Sequence, residues 1–161
     1  MARGRKSWRE KLRDNKGLPR LEPIPERMRG KWGRGTILIP APLEVDEVMR
    51  MVPQGRLITI NMIREVLAKR HGATMTCPMT TGIFARIAAE AAEEARREGQ
   101  RDITPYWRTL KEGGVINEKY PGGVQAQKRL LEGEGHQVIQ RGKRYLVVDF
   151  QRALFKPQGE R

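Results

Sequence analysis

The chain has 161 residues, 38% of them hydrophobic, and 32 Lys and Arg stand against 19 Asp and Glu, a formal net charge of +13. This length and composition fit a single domain with a modest core and room for an attached arm. The longest apolar runs, Ile37-Leu38-Ile39 and Tyr145-Leu146-Val147-Val148, are too short to span a bilayer, and no apolar segment of a secretory signal follows the basic N-terminus. The single cysteine, Cys77, excludes an internal disulfide, and no Cys/His cluster offers a zinc site, so no metal and no cofactor is expected.

The charge is uneven. Residues 1–35 carry 12 basic and 4 acidic residues, more than half of the excess in about a fifth of the chain. Pro19, Pro23 and Pro25 and the irregular apolar positions Trp8, Leu12, Leu18, Leu21, Ile24 and Trp32 read as an extended arm over 1–40. A short helix is expected around Ser7–Asp14, with Ser7 as cap and Glu10 three residues on. A basic arm favours a polyanion, most often nucleic acid, through counterion release; the alternative is a solubilising tail whose tryptophans tuck against the body. Nucleic acid fits a soluble, cytoplasmic protein, nucleoid-associated in a bacterium or archaeon, with no membrane partner.

The body is expected over 41–152, with 153–161 as a tail. From Leu43 to Val52, Val45, Val48, Met49 and Val52 recur at helical spacing before Pro53 and Gly55. Thr59 caps a second helix with Ile60, Ile63, Val66 and Leu67 as its stripe and Lys69, Arg70, His71 and Gly72 as its stop. A loop, Ala73–Cys77, leads to Pro78, the first-turn residue of a long helix reaching Glu98. On this helix Ile83, Phe84, Ile87, Ala88, Ala91 and Ala95 are read as inward, with Glu90, Glu93, Glu94, Arg96 and Arg97 outward.

The two helices and their tight connection read as a helix-turn-helix, or as an ordinary helical hairpin. Thr80, Thr81 and Gly82 at the front of the second allow close approach to a DNA groove. Gly99 ends the helix, and a loop rich in aromatic surface follows at Ile103-Thr104-Pro105-Tyr106-Trp107-Arg108. Four glycines, 113, 114, 122 and 123, surround Tyr120. A last helix is expected over Val124–Glu134, with Val124, Leu130 and Leu131 inward. A hairpin follows: Gln137–Gln140, a turn at Arg141-Gly142, then Lys143–Phe150. The fold class expected is α+β, mainly helical: a winged-helix-like helix-turn-helix domain with a C-terminal β-hairpin.

From Pro105 onward the sequence resembles a known family. Pro105-Tyr106-Trp107-Arg108, Tyr120-Pro121-Gly122-Gly123, Lys128 and Leu130-Leu131-Glu132-Gly133-Glu134-Gly135 follow in order and spacing. Upstream stand Val52-Pro53-Gln54-Gly55-Arg56, Thr59 and Ile63. Together, over about 43–140, these are similar to the C-terminal DNA-binding domain of O6-alkylguanine-DNA alkyltransferase, the methylated-DNA–protein cysteine methyltransferase family.

The resemblance implies duplex DNA as partner, including duplexes that carry O6-alkylguanine, with repair proteins in attendance. It also implies where the chemistry has gone. Tyr106 stands at the position of the family's acceptor cysteine and Trp107 at that of its histidine. Glu134 matches a buried glutamate with no His–Cys pair left to orient. An SN2 displacement at an alkyl carbon needs a thiolate, and a phenol with a pKa of about 10 is a poor substitute. The chain therefore resembles the cysteine-less, alkyltransferase-like variants, which bind without repairing.

Two further family positions differ. Ile60 corresponds to the tyrosine that helps rotate the nucleotide, and Thr81 or Gly82 to the arginine that replaces the flipped base, with Arg86 one turn later. Expected DNA contacts are Arg56, Thr80, Thr81, Arg86 and Arg108, the last either touching DNA or holding its loop. Tyr106, Trp107 and Tyr120 either line the former alkylguanine pocket or fill it. The alternatives are an interaction module for protein or RNA, and a residual alkyltransferase acting through Tyr106 or Cys77.

Overall fold

A computed structural model describes residues 6–157. The protein is α+β, about half helical, with three small sheets of which the last is a C-terminal hairpin. In chain order the elements are α1 (Trp8–Arg13), β1 (Arg20–Pro23), α2 (Arg29–Trp32), β2 (Thr36–Ile39) and α3 (Pro42–Met51). Then come β3 (Ile58–Thr59), α4 (Ile60–His71), β4 (Met75–Thr76), α5 (Pro78–Arg97) and β5 (Thr109–Leu110). The last are α6 (Gly123–Gly133), β6 (Val138–Arg141) and β7 (Arg144–Val147). Among the described residues no helix is long and apolar enough to cross a membrane.

The segment expected to be an extended arm is folded onto the body from Trp8 onward. The capping box forms: Glu10 N–H donates to Ser7 Oγ at 3.1 Å and Ser7 N–H to the Glu10 carboxylate at 3.2 Å. α1 lies on α5, where Glu94 accepts the N–H groups of Trp8 and Arg9, and Arg9 also pairs with Glu94 and Glu98. β1 runs antiparallel to β2, and β2 runs parallel to β4 in the α4–α5 connection. The irregular apolar spacing has a physical reason: the buried anchors belong to three separate places, Leu12 on α1, Ile24 just after β1, and Ile37 and Leu38 on β2. Part of the segment's charge is paired internally, Lys6 with Asp14 and Arg20 with Glu22.

The caps of α4 are where the sequence places them, and α3 opens one residue before the expected Leu43. Pro42 opens α3, and the Glu44 carboxylate accepts the Ala41 N–H at 3.1 Å. Thr59 Oγ1 accepts the Met62 N–H at 3.3 Å to cap α4, and Gly72 ends it in the left-handed conformation. His71 Nε2 contacts the Glu44 carboxylate, fastening the end of α4 to the start of α3.

The buried face of α5 differs from the expected one. Thr81, Ala85, Ala88, Ala92 and Ala95 mark a helical stripe that is buried, and Ile83 is half exposed. Side-chain size misleads here: α1 and α3 pack closely on α5, and alanines permit that approach where isoleucine would hold the helices apart.

The main core gathers Val45, Val48 and Met49 of α3, Ile63 and Leu67 of α4 and the alanines of α5, with Tyr106 and Tyr120. A second cluster joins Leu57, Leu110, Ile116 and Leu131 to Val138 and Val147 of the hairpin. In α6 Leu131 is buried and Val124 packs against this cluster, whereas Leu130, also expected inward, is 37% exposed. The hairpin turn falls one residue later than expected. Arg141 pairs with Arg144, so Gly142-Lys143 is the turn, with Gly142 at φ +60°.

β3 and β5 pair in parallel, Ile58 with Thr109 and Thr59 with Leu110, tying the start of α4 to the end of the aromatic loop. The C-terminal segment returns to the same place. Leu57 N–H donates to Ala153 O at 2.9 Å and Phe155 N–H to Leu57 O at 2.7 Å.

Candidate nucleic-acid interface

The aromatic loop is a single 3-10 turn, Tyr106–Arg108, whose polar groups all turn inward. Tyr106 is 2% exposed, and its hydroxyl donates to Glu93 Oε2 at 3.0 Å. Its ring meets the edges of Trp107 and Tyr120 at centroid distances of 5.3 and 5.9 Å. Burial, and then the Glu93 charge, push the Tyr106 phenol well above its ordinary value of 10. A hydrogen bond from Arg96 holds Glu93 below the usual carboxylate range, with Tyr106 assisting, so the carboxylate is ionised and the phenol is not.

Glu134 organises the other side of the loop. It accepts Trp107 Nε1 at 2.9 Å, Arg108 Nε at 3.0 Å and Nη2 at 2.8 Å, and the Gly55 N–H at 3.1 Å. Arg108 Nη1 donates to Val52 O at 2.7 Å. Burial works to raise the Glu134 pKa, but the Arg108, Trp107 and Gly55 hydrogen bonds outweigh it and hold the group below its ordinary value. Each of these groups was legible as a position of the resembled motif; what joins them is a glutamate bonded to tryptophan and arginine.

Of the three residues expected to line or fill a pocket, Tyr120 is buried core, and Tyr106, though only 2% exposed, reaches with Glu93 the wall of the cleft that Trp107 lines. Trp107 is partly exposed and lines a cleft of about 480 Å³ with Ile103, Pro121, Ala126 and Leu130, while Arg96, Arg97 and Arg129 rim it. Gly122 forms one wall at φ +77°, where a Cβ would fall 2.5 Å from that of Ala126, so only glycine fits. The arginines of this rim carry no sequence signal beyond their placement on the outward faces of α5 and α6.

The expected groove-facing residues separate. Thr81 is fully buried, its hydroxyl donating to Cys77 O at 2.7 Å, so it faces the core. Thr80 is partly exposed and Arg86 exposed. Arg56 is exposed, but its guanidinium donates to Ala153 O at 2.9 Å and Leu154 O at 2.6 Å, holding the C-terminal segment. Arg108 holds its loop.

Sequence reasoning missed Met79 and Ile83, which with Arg86 and Gly82 border a groove of about 440 Å³ opposite Lys111 and Lys119. The alanine stripe, read in correct phase, would have placed both outside. Cys77 packs beside Ile24, Ile37 and Met75 and lines neither hollow. Among the described residues, no group of three or more His, Cys, Asp or Glu side chains is placed to hold a metal ion.

One stripe of α5 connects the two hollows. Met79, Ile83, Arg86, Glu90, Glu93 and Arg97 recur at intervals of three or four residues, so they share a face. At 1.5 Å per residue, Met79 and Glu93 are about 21 Å apart along the axis.

No family model and no curated protein matches the chain. Among solved structures, it is similar to a crystal structure of S. pombe Atl1 in complex with damaged DNA containing O6-carboxymethylguanine. The TM-score is 0.47 at 20% identity, covering 72% of this chain and 94% of that one. A second match is the crystal structure of S. pombe ATL in complex with DNA, with TM-score 0.46, 19% identity and the same coverage.

Proposed function

We propose that the protein is a non-enzymatic duplex-DNA-binding protein that attends alkylation damage, with α4 and α5 serving as a winged helix-turn-helix and the β6–β7 hairpin as its wing. The observation that carries this reading is the exposed stripe of α5. Its small and cationic residues Gly82 and Arg86 face a groove whose far side holds Lys111 and Lys119, and the partly exposed Thr80 stands near the front of the same helix. A net charge of +13 adds long-range attraction to phosphate.

The cleft beside Trp107 supports the damage-directed part. Its apolar floor suits an extruded base and its rim of Arg96, Arg97 and Arg129 the flanking phosphates, with the one carboxylate lining it, Glu93, already paired with Arg96. The resemblance of the Tyr106–Glu134 region to the alkyltransferases points the same way. Absence of alkyl transfer is supported by Tyr106, whose buried phenol stays protonated beside an ionised carboxylate and so does not present the phenolate that a displacement would need.

Fluorescence anisotropy with two matched duplexes, one carrying a single O6-methylguanine, tests the reading across a salt series. The expected result is binding to both that weakens steeply with salt, and tighter binding to the lesion. Equal binding removes the damage-directed part. Binding to neither overturns the DNA reading and favours an interaction module for protein or RNA.

A further inference from the structure

We propose that Met79 and Ile83 form an apolar wedge that enters the base stack of a bound duplex. The inference rests on the duplex-binding reading above and deepens it by naming the side chains that grip the bases. Met79 is 72% exposed and Ile83 50%, the two most exposed large apolar side chains among the described residues. They sit one turn apart on a 20-residue helix, so their side chains lie side by side. Single exposed apolar residues are ordinary on a protein surface, but two together at the lip of a groove form a patch that calls for an occupant. α1 and α3 cover the alanine side of α5 and leave this side open.

The surroundings select the occupant. Arg86 follows on the next turn, and Lys111 and Lys119 stand across the groove. The single acid lining it, Glu118, lies 3.6 Å from Lys111 Nζ. An apolar partner helix would have to bury its edge against these cations. A base step has the complementary pattern, apolar in the middle and anionic along both strands. Apolar wedges of Met, Ile, Leu or Phe that part such a step are a recurrent way to kink a duplex. The helix is shaped for it: Gly82 carries no side chain between the two, open space surrounds its Cβ position, and Thr81 is turned inward.

The test uses the full chain and a short duplex with several 2-aminopurines along one strand, which brighten when unstacked. Wild type is expected to bind with a rise in fluorescence. The double variant Met79→Ala/Ile83→Ala should bind about tenfold more weakly, consistent with the apolar surface removed, and lose the rise. Its salt slope should be unchanged, because no phosphate contact is lost. Met79→Leu/Ile83→Leu should restore both affinity and fluorescence. Both side chains are exposed, so a thermal melt of each variant should match wild type. If wild type binds with a steep salt slope but without any rise, and the alanine variant binds equally well, the wedge is overturned and duplex binding stands. If wild type binds no duplex, wedge and DNA reading fall together.

Discussion

The aromatic loop and the leading face of α5 are both rich in large side chains and arginine, and they use them in opposite ways. In the loop, Tyr106, Trp107 and Arg108 each direct every side-chain donor to a partner inside the protein. On α5, Met79, Ile83 and Arg86 face water, and Lys119 stands exposed across the groove they border. Groups satisfied internally specify one structure, and groups left open are available to a ligand. The difference teaches that Tyr106 and Arg108, two of the residues carrying the resemblance, hold the loop together, while open donors and apolar surface lie on α5 and across its groove.

The sharpest way to break this comparison is Glu134→Ala. Glu134 and Arg108 are 9% and 14% exposed, and removing one member of such a pair leaves a buried charge unpaired, at a cost of about 3–5 kcal/mol. Urea unfolding should show that loss; a change too small to resolve would mean the loop is not locked. Next comes pH. Glu93 and Glu134 are both held below their ordinary value of 4.5 in the folded protein. Their stabilisation is therefore present above that pH and is lost as pH falls below it, when the folded carboxylates take up protons. Thermal midpoints should fall across that window, and Glu134→Gln should flatten part of the fall. The smallest effect is that of Tyr106→Phe, about 1 kcal/mol in urea, because Glu93 keeps Arg96. Duplex affinity should be unchanged by it if the tyrosine is core, and a weakened affinity would return Tyr106 to the site.

Legibility in the sequence followed the range of the forces involved. α4 was readable end to end because its cap Thr59 and its stop Gly72 act within one turn of the chain. The capping box of α1 was readable for the same reason. The two-residue strands β3, β4 and β5 carry no period, and they exist only through partners far along the chain, as when Ile37 pairs with Met75. The phase of α5 was misread because hydrophobicity ranks isoleucine above alanine, whereas a close helix contact ranks them the other way. Within the site, Tyr106, Trp107, Arg108 and Glu134 were found by motif and Arg86 by position on its helix. Met79 and Ile83 were passed over because exposed apolar residues look like core until the buried face is known.

The return of the C-terminal segment to Leu57 has a consequence for how the protein acquires its shape. Arg56 reaches across 97 residues to hold Ala153, and the backbone of Leu57 is bracketed by Ala153 and Phe155. Contacts of such sequence separation close late, after the local helices have formed. On the ribosome, α3 to α6 emerge with Leu57 still missing the partners that complete its burial, and the newborn domain stays unlatched until its last strand and the residues behind it are free of the exit tunnel.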